Sequence, residues 1–193
     1  MTDTNKVLFG LKNTTVFPLT DEATPTWGDP IAIPGAVSAS ASPEGTSEAF
    51  YADDGNYFQA DGNTGWKIEL EMAKFPDEWY VATQGWELDQ NGGLVEIADA
   101  IAKPFALGFE VSGDKQKRRN VWYKCTATRP TTEHKTTEDT KKPITEKSTI
   151  TAVPMTIGGK SVGKYSLPQT EANASVWANF FKNVVPPTFK AAE

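Results

Sequence analysis

Between Trp66 and Met72, Trp66, Ile68, Leu70 and Met72 alternate with Lys67, Glu69 and Glu71. A period of two places the large apolar groups on one side of an extended chain and the charges on the other. Such a segment is a strand between a core and water, and a helix would scatter its apolar groups around the axis. The same period recurs. Val37, Ala39 and Ala41 alternate with Ser38, Ser40 and Ser42, and Phe105, Leu107, Phe109 and Val111 define another strand. Val121, Tyr123, Cys125 and Ala127 alternate with Trp122, Lys124, Thr126 and Thr128. Val7, Phe9 and Leu11 open the chain the same way, and residues 146–153 form a Thr-rich strand that includes Thr149 and Thr151. These patterns predict one mainly β domain carrying one or two helices.

The breaks between strands are legible from turn chemistry. Residues 18–30, rich in Pro, Thr, Asp and Gly, read as loop. Pro43 is expected to end the Ala/Ser strand, because it has no N–H for a ladder. A long loop to Gly65 then follows, carrying Phe50, Tyr51, Tyr57 and Phe58 among Glu48, Asp53, Asp54, Gly55 and Asn56. Pro76, Asp77 and Glu78 suit a helix start and Gly85 its stop, predicting a short helix over 77–84. Asn91-Gly92-Gly93 marks a hairpin or loop within 86–96, and Ser112-Gly113-Asp114 joins the two strands around it. Residues 129–145 are polar loop, residues 156–168 a Gly-containing hairpin. Val176, Trp177, Phe180, Phe181 and Val184 recur at helical spacing, predicting an amphipathic helix over 171–183 that Pro186-Pro187 stops.

With 193 residues, 38% hydrophobic and 23% charged, the chain is globular and can build a real core. Lys and Arg number 19 against 25 Asp and Glu, a formal charge of −6. That balance opposes tight nucleic-acid binding, which uses basic patches to neutralise phosphates. One cysteine, Cys125, permits no internal disulfide. The first residues lack a basic n-region and a long apolar run, so no signal peptide is expected. No stretch approaches the roughly eighteen apolar residues of a membrane helix. The expectation is a protein made or assembled in a cytoplasm, with no membrane partner.

Candidate chemistry is sparse. Gly158-Gly159-Lys160-Ser161 contains a G-K-S, but the glycine that a phosphate loop needs earlier is replaced by Pro154. Asp53, Asp54 and Asn56 offer oxygen donors without the spacing of a calcium loop. His134 stands in the most polar loop, and Cys125 lies on an alternating strand face. No G-x-S-x-G elbow is present for a Ser-His-Asp arrangement. No catalytic group, cofactor or metal is expected. The one basic cluster, K-Q-K-R-R at 115–119, reads as a charged hairpin tip, or more sharply as a contact to an acidic patch on a neighbouring subunit.

Six blocks in order resemble the major tail protein, or tail tube protein, of long-tailed siphophages of Gram-positive hosts. They are I-P-G-A-V-S-A-S-A-S-P-E-G (33–45), F-Y-A-D-D-G-N-Y-F (50–58), F-P-D-E-W (75–79), G-W-E-L-D-Q-N-G-G (85–93), K-P-F-A-L-G-F-E (103–110) and Y-K-C-T-A-T-R-P (123–130). The resemblance covers roughly residues 5–185. It implies a single tail tube domain over 1–193, a β-sandwich or barrel-like tail tube fold with one or two flanking helices, without the C-terminal immunoglobulin-like decoration domain of some members. It also implies hexameric rings stacked into a tube through which DNA is ejected. Implied partners are further copies of the chain, tail tip, terminator and tape measure proteins, and DNA in transient, non-specific passage. The implied location is the virion, after assembly in the host cytoplasm.

Two sets of residues follow as expectations. The polar faces of strands whose other faces look buried, Ser38, Ser40, Ser42, Lys67, Glu69, Glu71, Thr149 and Thr151, are expected to line the lumen, the choice of lumen over outer surface resting on the resemblance. The 43–65 segment, with Phe50, Tyr51, Asp53, Asp54, Tyr57 and Phe58, is expected to contact neighbouring subunits or rings. Long loops are usually functional or disordered, and aromatics argue against disorder. The rival from another class is a carbohydrate-binding β-sandwich with Trp66, Trp79, Trp86 and Trp122 as sugar platforms. In-phase alternation of Trp66 with Ile68 and Leu70 weighs against it.

Overall fold

The computed structural model describes residues 10–45, 47–52, 55–136 and 143–190. Strand β1 (Leu11–Asp21) runs further than composition suggests, taking in Pro18 and three residues of the expected loop. Pro18 pairs opposite Phe105, and the Leu19 amide donates to the Pro104 carbonyl at 2.9 Å. β1 kinks between Lys12 and Thr15, where Asn13 takes a positive φ of 54°. The short strands β2 (Thr26–Trp27) and β3 (Ile31–Ala32) fold back onto it. The expected opening strand positions Val7 and Phe9 lie outside the described residues.

β4 (Ala36–Glu44) does not stop at Pro43, which sits opposite Trp66 in register. β4 ends the hydrogen-bonded order of the sheet, so the N–H that proline lacks has no ladder to serve on the outer side. The expected long loop is a second correction. It folds as β5 (Ser47–Ala52) and β6 (Gly55–Asp61), an antiparallel pair that continues the β4 direction and returns to β7 (Gly65–Met72). Phe50 and Phe58 face each other in that register, as do Tyr51 and Asn56. At its root the chain passes closely: a β-carbon on Gly45 would collide with the Gly62 carbonyl oxygen.

Helix α1 (Asp77–Trp79) runs on as a π turn, Tyr80–Gln84, and ends at Gly85 with φ 72°, where the sequence places it. The hairpin β8 (Glu87–Leu88) and β9 (Leu94–Val95) follows, its turn held by the Asp89 carboxylate accepting from the Asn91 and Gly93 amides. β10 (Phe105–Val111) and β11 (Arg119–Ala127) form the centre, with β12 (Glu146–Ala152) beyond. β13 (Met155–Ile157) and β14 (Lys160–Val162) turn through Gly158-Gly159, which disposes of the G-K-S as a hairpin tip. β15 (Lys164–Leu167) precedes a 3₁₀ turn (Glu171–Asn173) and helix α2 (Ala174–Ala178). The predicted helix is thus cut short. The Asn179 side-chain amide bonds the Ser175 carbonyl, and the aromatic and β-branched residues that follow are weak helix formers.

The sheet is antiparallel in the order β2-β1-β10-β11-β12-β7-β4, with β3 also on β1 and β15 also on β11. One half of β11 pairs with β15 through Arg119–Trp122 and the other with β12 through Cys125–Ala127. Between them lies a bulge. Phe105 opposes Cys125 but Leu107 opposes Trp122, so three steps along β11 match two along β10. An extra residue exchanges the two faces of a strand. The expected common face of Val121, Tyr123, Cys125 and Ala127 is therefore broken. Trp122, Cys125 and Ala127 join one core with Val16, Ile68, Leu70, Met72, Phe75, Trp79 and Leu107. Val121 and Tyr123 join a second core with Phe17, Ala106, Met155, Ile157, Leu167 and Phe180. The chain is mainly β with two short helical segments, as its alternations predict.

The second core is closed by the C-terminal segment. Tyr123 donates its hydroxyl to the Val185 carbonyl at 2.8 Å, and Trp177 donates its indole N–H to the Lys117 carbonyl at 2.9 Å. Arg119 stacks over the Trp177 ring at 3.4 Å and pairs with Glu110 at 3.0 Å. Glu110 is buried, and Lys12 and Asn13 also bond it. Burial pushes its carboxyl upward, yet the bonds from Lys12, Arg119 and Asn13 prevail and hold it below the usual carboxylate range.

Candidate functional site

The eight polar-face residues come together on one surface. β7 lies between β4 and β12, and residues directly opposite in antiparallel strands share a face. The register sets them in three rows: Ser38, Glu71 and Lys147; Ser40, Glu69 and Thr149; Ser42, Lys67 and Thr151. The rows cross three strands, about 10 Å between the outer two, and run about 13 Å along them. The reverse side is apolar, with Ile68, Leu70, Met72, Ile150 and Ala152 all buried. Ala39 and Ala41 pack against that core from β4, which explains small residues there.

Charge on this face is balanced within itself. Lys67 Nζ meets Glu69 Oε1 at 3.3 Å, and Lys147 Nζ lies 3.8 Å from Glu71 Oε2. Thr145 donates to Glu71 Oε1 at 2.6 Å and Ser38 to Oε2 at 3.1 Å. The Thr145 bond, helped by Ser38 and Lys147 against some desolvation, holds the Glu71 carboxyl below its ordinary value. Two lysines and two glutamates cancel, so the three rows are polar and neutral although the chain as a whole is acidic.

Sequence reasoning missed part of this surface. Lys147 belongs to the same alternation as Thr149 and Thr151 and could have been found by extending it two residues back. Thr126 lies opposite Thr151 on β11, and the Thr128 hydroxyl accepts from the Thr149 amide at 3.1 Å. Both are exposed and widen the face towards β11. Gly65 permits the tight joint at one end: a β-carbon there would collide with the Ala152 carbonyl oxygen, and its φ is +140°. The outer margin is β4, where Val37 is exposed and no strand pairs on the far side among the described residues.

The second expected set stands differently. Asp53 and Asp54 lie outside the described residues, and for Phe50, Tyr51, Tyr57 and Phe58 the structure gives a backbone place on β5 or β6. His134 is exposed in the polar loop, whereas Cys125 is buried in the first core. Burial pushes the Cys125 thiol far above its ordinary pKa, which makes it unreactive. The sugar-platform reading loses its residues: Trp79 and Trp122 are fully buried, Trp66 packs edge-on to Trp122, and Trp86 is stacked on Tyr80 at 4.6 Å.

No known protein family and no curated protein matches the sequence. Among solved structures, the chain is similar to the tube-terminating cap of the anti-feeding prophage, at 13% identity and a TM-score of 0.48. The match covers 86% of this chain and 97% of that one. A likeness that distant assigns no function to this chain.

Proposed function

We propose that this chain is a non-catalytic structural protein of a long-tailed phage virion, whose copies form hexameric rings stacked into a tail tube. The observation that carries the reading is the polar face of β4, β7 and β12, its three rows neutral, backed by a core and bounded by the β4 edge that is unpaired among the described residues. An edge strand of nine residues is a template for pairing. Closing copies into a ring removes that edge, and the three-strand faces then join into a barrel wall. The six sequence blocks support the same assignment.

In this reading Ser38, Ser40, Ser42, Lys67, Glu69, Glu71, Thr149 and Thr151 face the lumen. DNA carries one negative charge per about 1.7 Å, so a wall with spare cations would hold it by counterion release. Ion pairs formed within the wall leave no cation to spare. Low friction then comes from local neutrality, whereas composition alone suggests an acidic wall. The β5–β6 hairpin is assigned to contacts between rings or subunits, through Phe50, Tyr51, Asp53, Asp54, Tyr57 and Phe58. Tail tip, terminator and tape measure proteins are the further partners.

Electron microscopy of the concentrated protein tests the assembly. Rings or tubes with an axial channel are expected; a monodisperse monomer at every concentration would overturn it. The hairpin is tested by Phe50→Ala with Tyr51→Ala, expected to lose assembly while monomer melting stays unchanged. Lowered melting with normal tubes would sink that contact.

A further inference from the structure

The two ends of the central strands differ in charge. β10 is seven residues long, so Phe105 and Val111 lie about 20 Å apart. Around the Phe105 end gather the segments just before it. The Lys103 amide donates to the Thr83 carbonyl at 2.8 Å, which brings the 97–104 loop against the helix end. An open groove of about 590 Å³ lies there, lined by Gly85, Glu87, Ile97, Asp99, Ile101 and Lys103 among others. Ile101 is 85% exposed, and Leu88 and Val95 are exposed on the hairpin that carries Glu87. Glu87 and Asp99 are exposed, with no ion pair among the described residues, and the Lys103 ammonium is turned to the Val81 carbonyl. Glu96 is paired with Arg129 at 2.7 Å. Asp77, Glu78 and Asp89 are exposed on the adjoining helix start and turn.

Around the Val111 end the sign reverses. The turn joining β10 to β11 carries Lys115, Lys117 and Arg118, all exposed. Its backbone is rigid, because the Asp114 carboxylate accepts from the Gln116 amide at 2.9 Å and the Arg118 amide at 3.1 Å. Lys117 and Arg118 meet no carboxylate among the described residues. Lys164, on β15 opposite Trp122, is held below its ordinary pKa chiefly by burial and secondarily by the Arg118 charge. Among the described residues, the carboxylates nearby are Glu110, already saturated, Asp114, used in the turn, and exposed Glu171.

We propose that the acidic groove around Ile101 receives the 115–118 turn of a second copy of this chain, in a head-to-tail contact along the strand direction. The occupant follows from charge complementarity carried on opposite ends of one molecule. A surface that matches the far end of its own copy generates heterologous contacts, which repeat as stacks or close as rings. The charges steer and orient the approach, while Ile101, Leu88 and Val95 supply the apolar area. The contact deepens the tube reading by naming the two surfaces that meet between copies.

The test uses the full chain and two double charge reversals, Lys117→Glu with Arg118→Glu, and Glu87→Lys with Asp99→Lys. All four positions are exposed, so monomer melting serves as the folding control. Association is followed by sedimentation velocity and electron microscopy in low salt. Each reversed protein alone is expected to weaken association at least tenfold. The equimolar mixture is expected to restore it, because each reversed end then meets its complement. Wild-type association is expected to weaken as salt rises. Ile101→Ser adds an independent arm, with weaker association at unchanged melting. Normal association of either reversed protein, a mixture no better than its parts, or a wild type monomeric at all concentrations would overturn the contact. Tubes built normally by the reversed proteins would remove this contact and leave the tube reading standing. A restored mixture that forms particles without a channel would support the contact and remove the tube.

Discussion

β10 and β7 belong to one sheet and are close in length, yet they bury differently. From Phe105 to Glu110 every residue of β10 is buried, because apolar cores cover both its faces. In β7 the apolar side is buried, while Lys67 and Glu69 are exposed and Glu71 is half-buried. The price of a charge differs accordingly. Glu110 on β10 is held by three partners from two strands, whereas Glu69 on β7 has one partner on its own strand. The β10 region holds the molecule together; the β7 region presents a surface that can change without unfolding it.

The strongest way to break that division is Trp79→Ala. Trp79 is fully buried against Phe75 and Phe105, and loss of a core tryptophan costs roughly 3–5 kcal/mol. A denaturation curve should shift by that amount; a shift no larger than that of a β7 surface change would dissolve the distinction.

Next in size is Glu110→Ala, which strands Arg119 beside the second core and should cost about 2 kcal/mol. It also has a pH signature. The folded carboxyl lies below its unfolded value, so its contribution is complete above pH about 4.3 and is lost as pH falls through the lower folded value. Glu110→Gln should therefore lower stability at neutral pH and flatten the decline in acid. An unaltered acid decline would remove Glu110 from the stabilising network.

Gly65→Ala sharpens the boundary between the two regions, since it forces the β7 start against Ala152 of β12 at a φ suited to glycine. A loss of about 1–3 kcal/mol is expected. Unchanged melting would mean that the joint yields freely.

The smallest folding effect belongs to Glu69→Lys with Glu71→Lys. The midpoint of denaturation should move less than for any change above, the loss confined to the Thr145, Ser38 and Lys147 contacts of Glu71. DNA release from assembled particles should slow, and the slowing should fade as salt rises. Release unaffected at every salt concentration would remove this face from the DNA path.

What the sequence revealed follows the same division. β7 was legible because one wet face leaves a clean alternation. β11 was not, because a bulge between Trp122 and Cys125 exchanges its faces, and no residue type announces an inserted step. Pro43 misled because proline forbids a central strand but not an edge. The β5–β6 pair was hidden by turn-forming residues next to aromatics. The polar face was visible strand by strand, but its three rows exist through pairings between residues as distant as Ser38 and Lys147 via Glu71. The shortened last helix reflects local competition by Asn179 that spacing alone does not display.

The closure of the second core also orders events in time. β1 is made first, but its partner β10 lies some ninety residues later, and long-range pairing is slow to form. Tyr123 then waits for Val185 before its hydroxyl is satisfied, and Phe17 shares its core with Phe180. A chain still on the ribosome therefore exposes that apolar surface until residue 185 has emerged. Each copy completes this core only once residue 185 is made, and a large population of growing chains would be the state most open to aggregation.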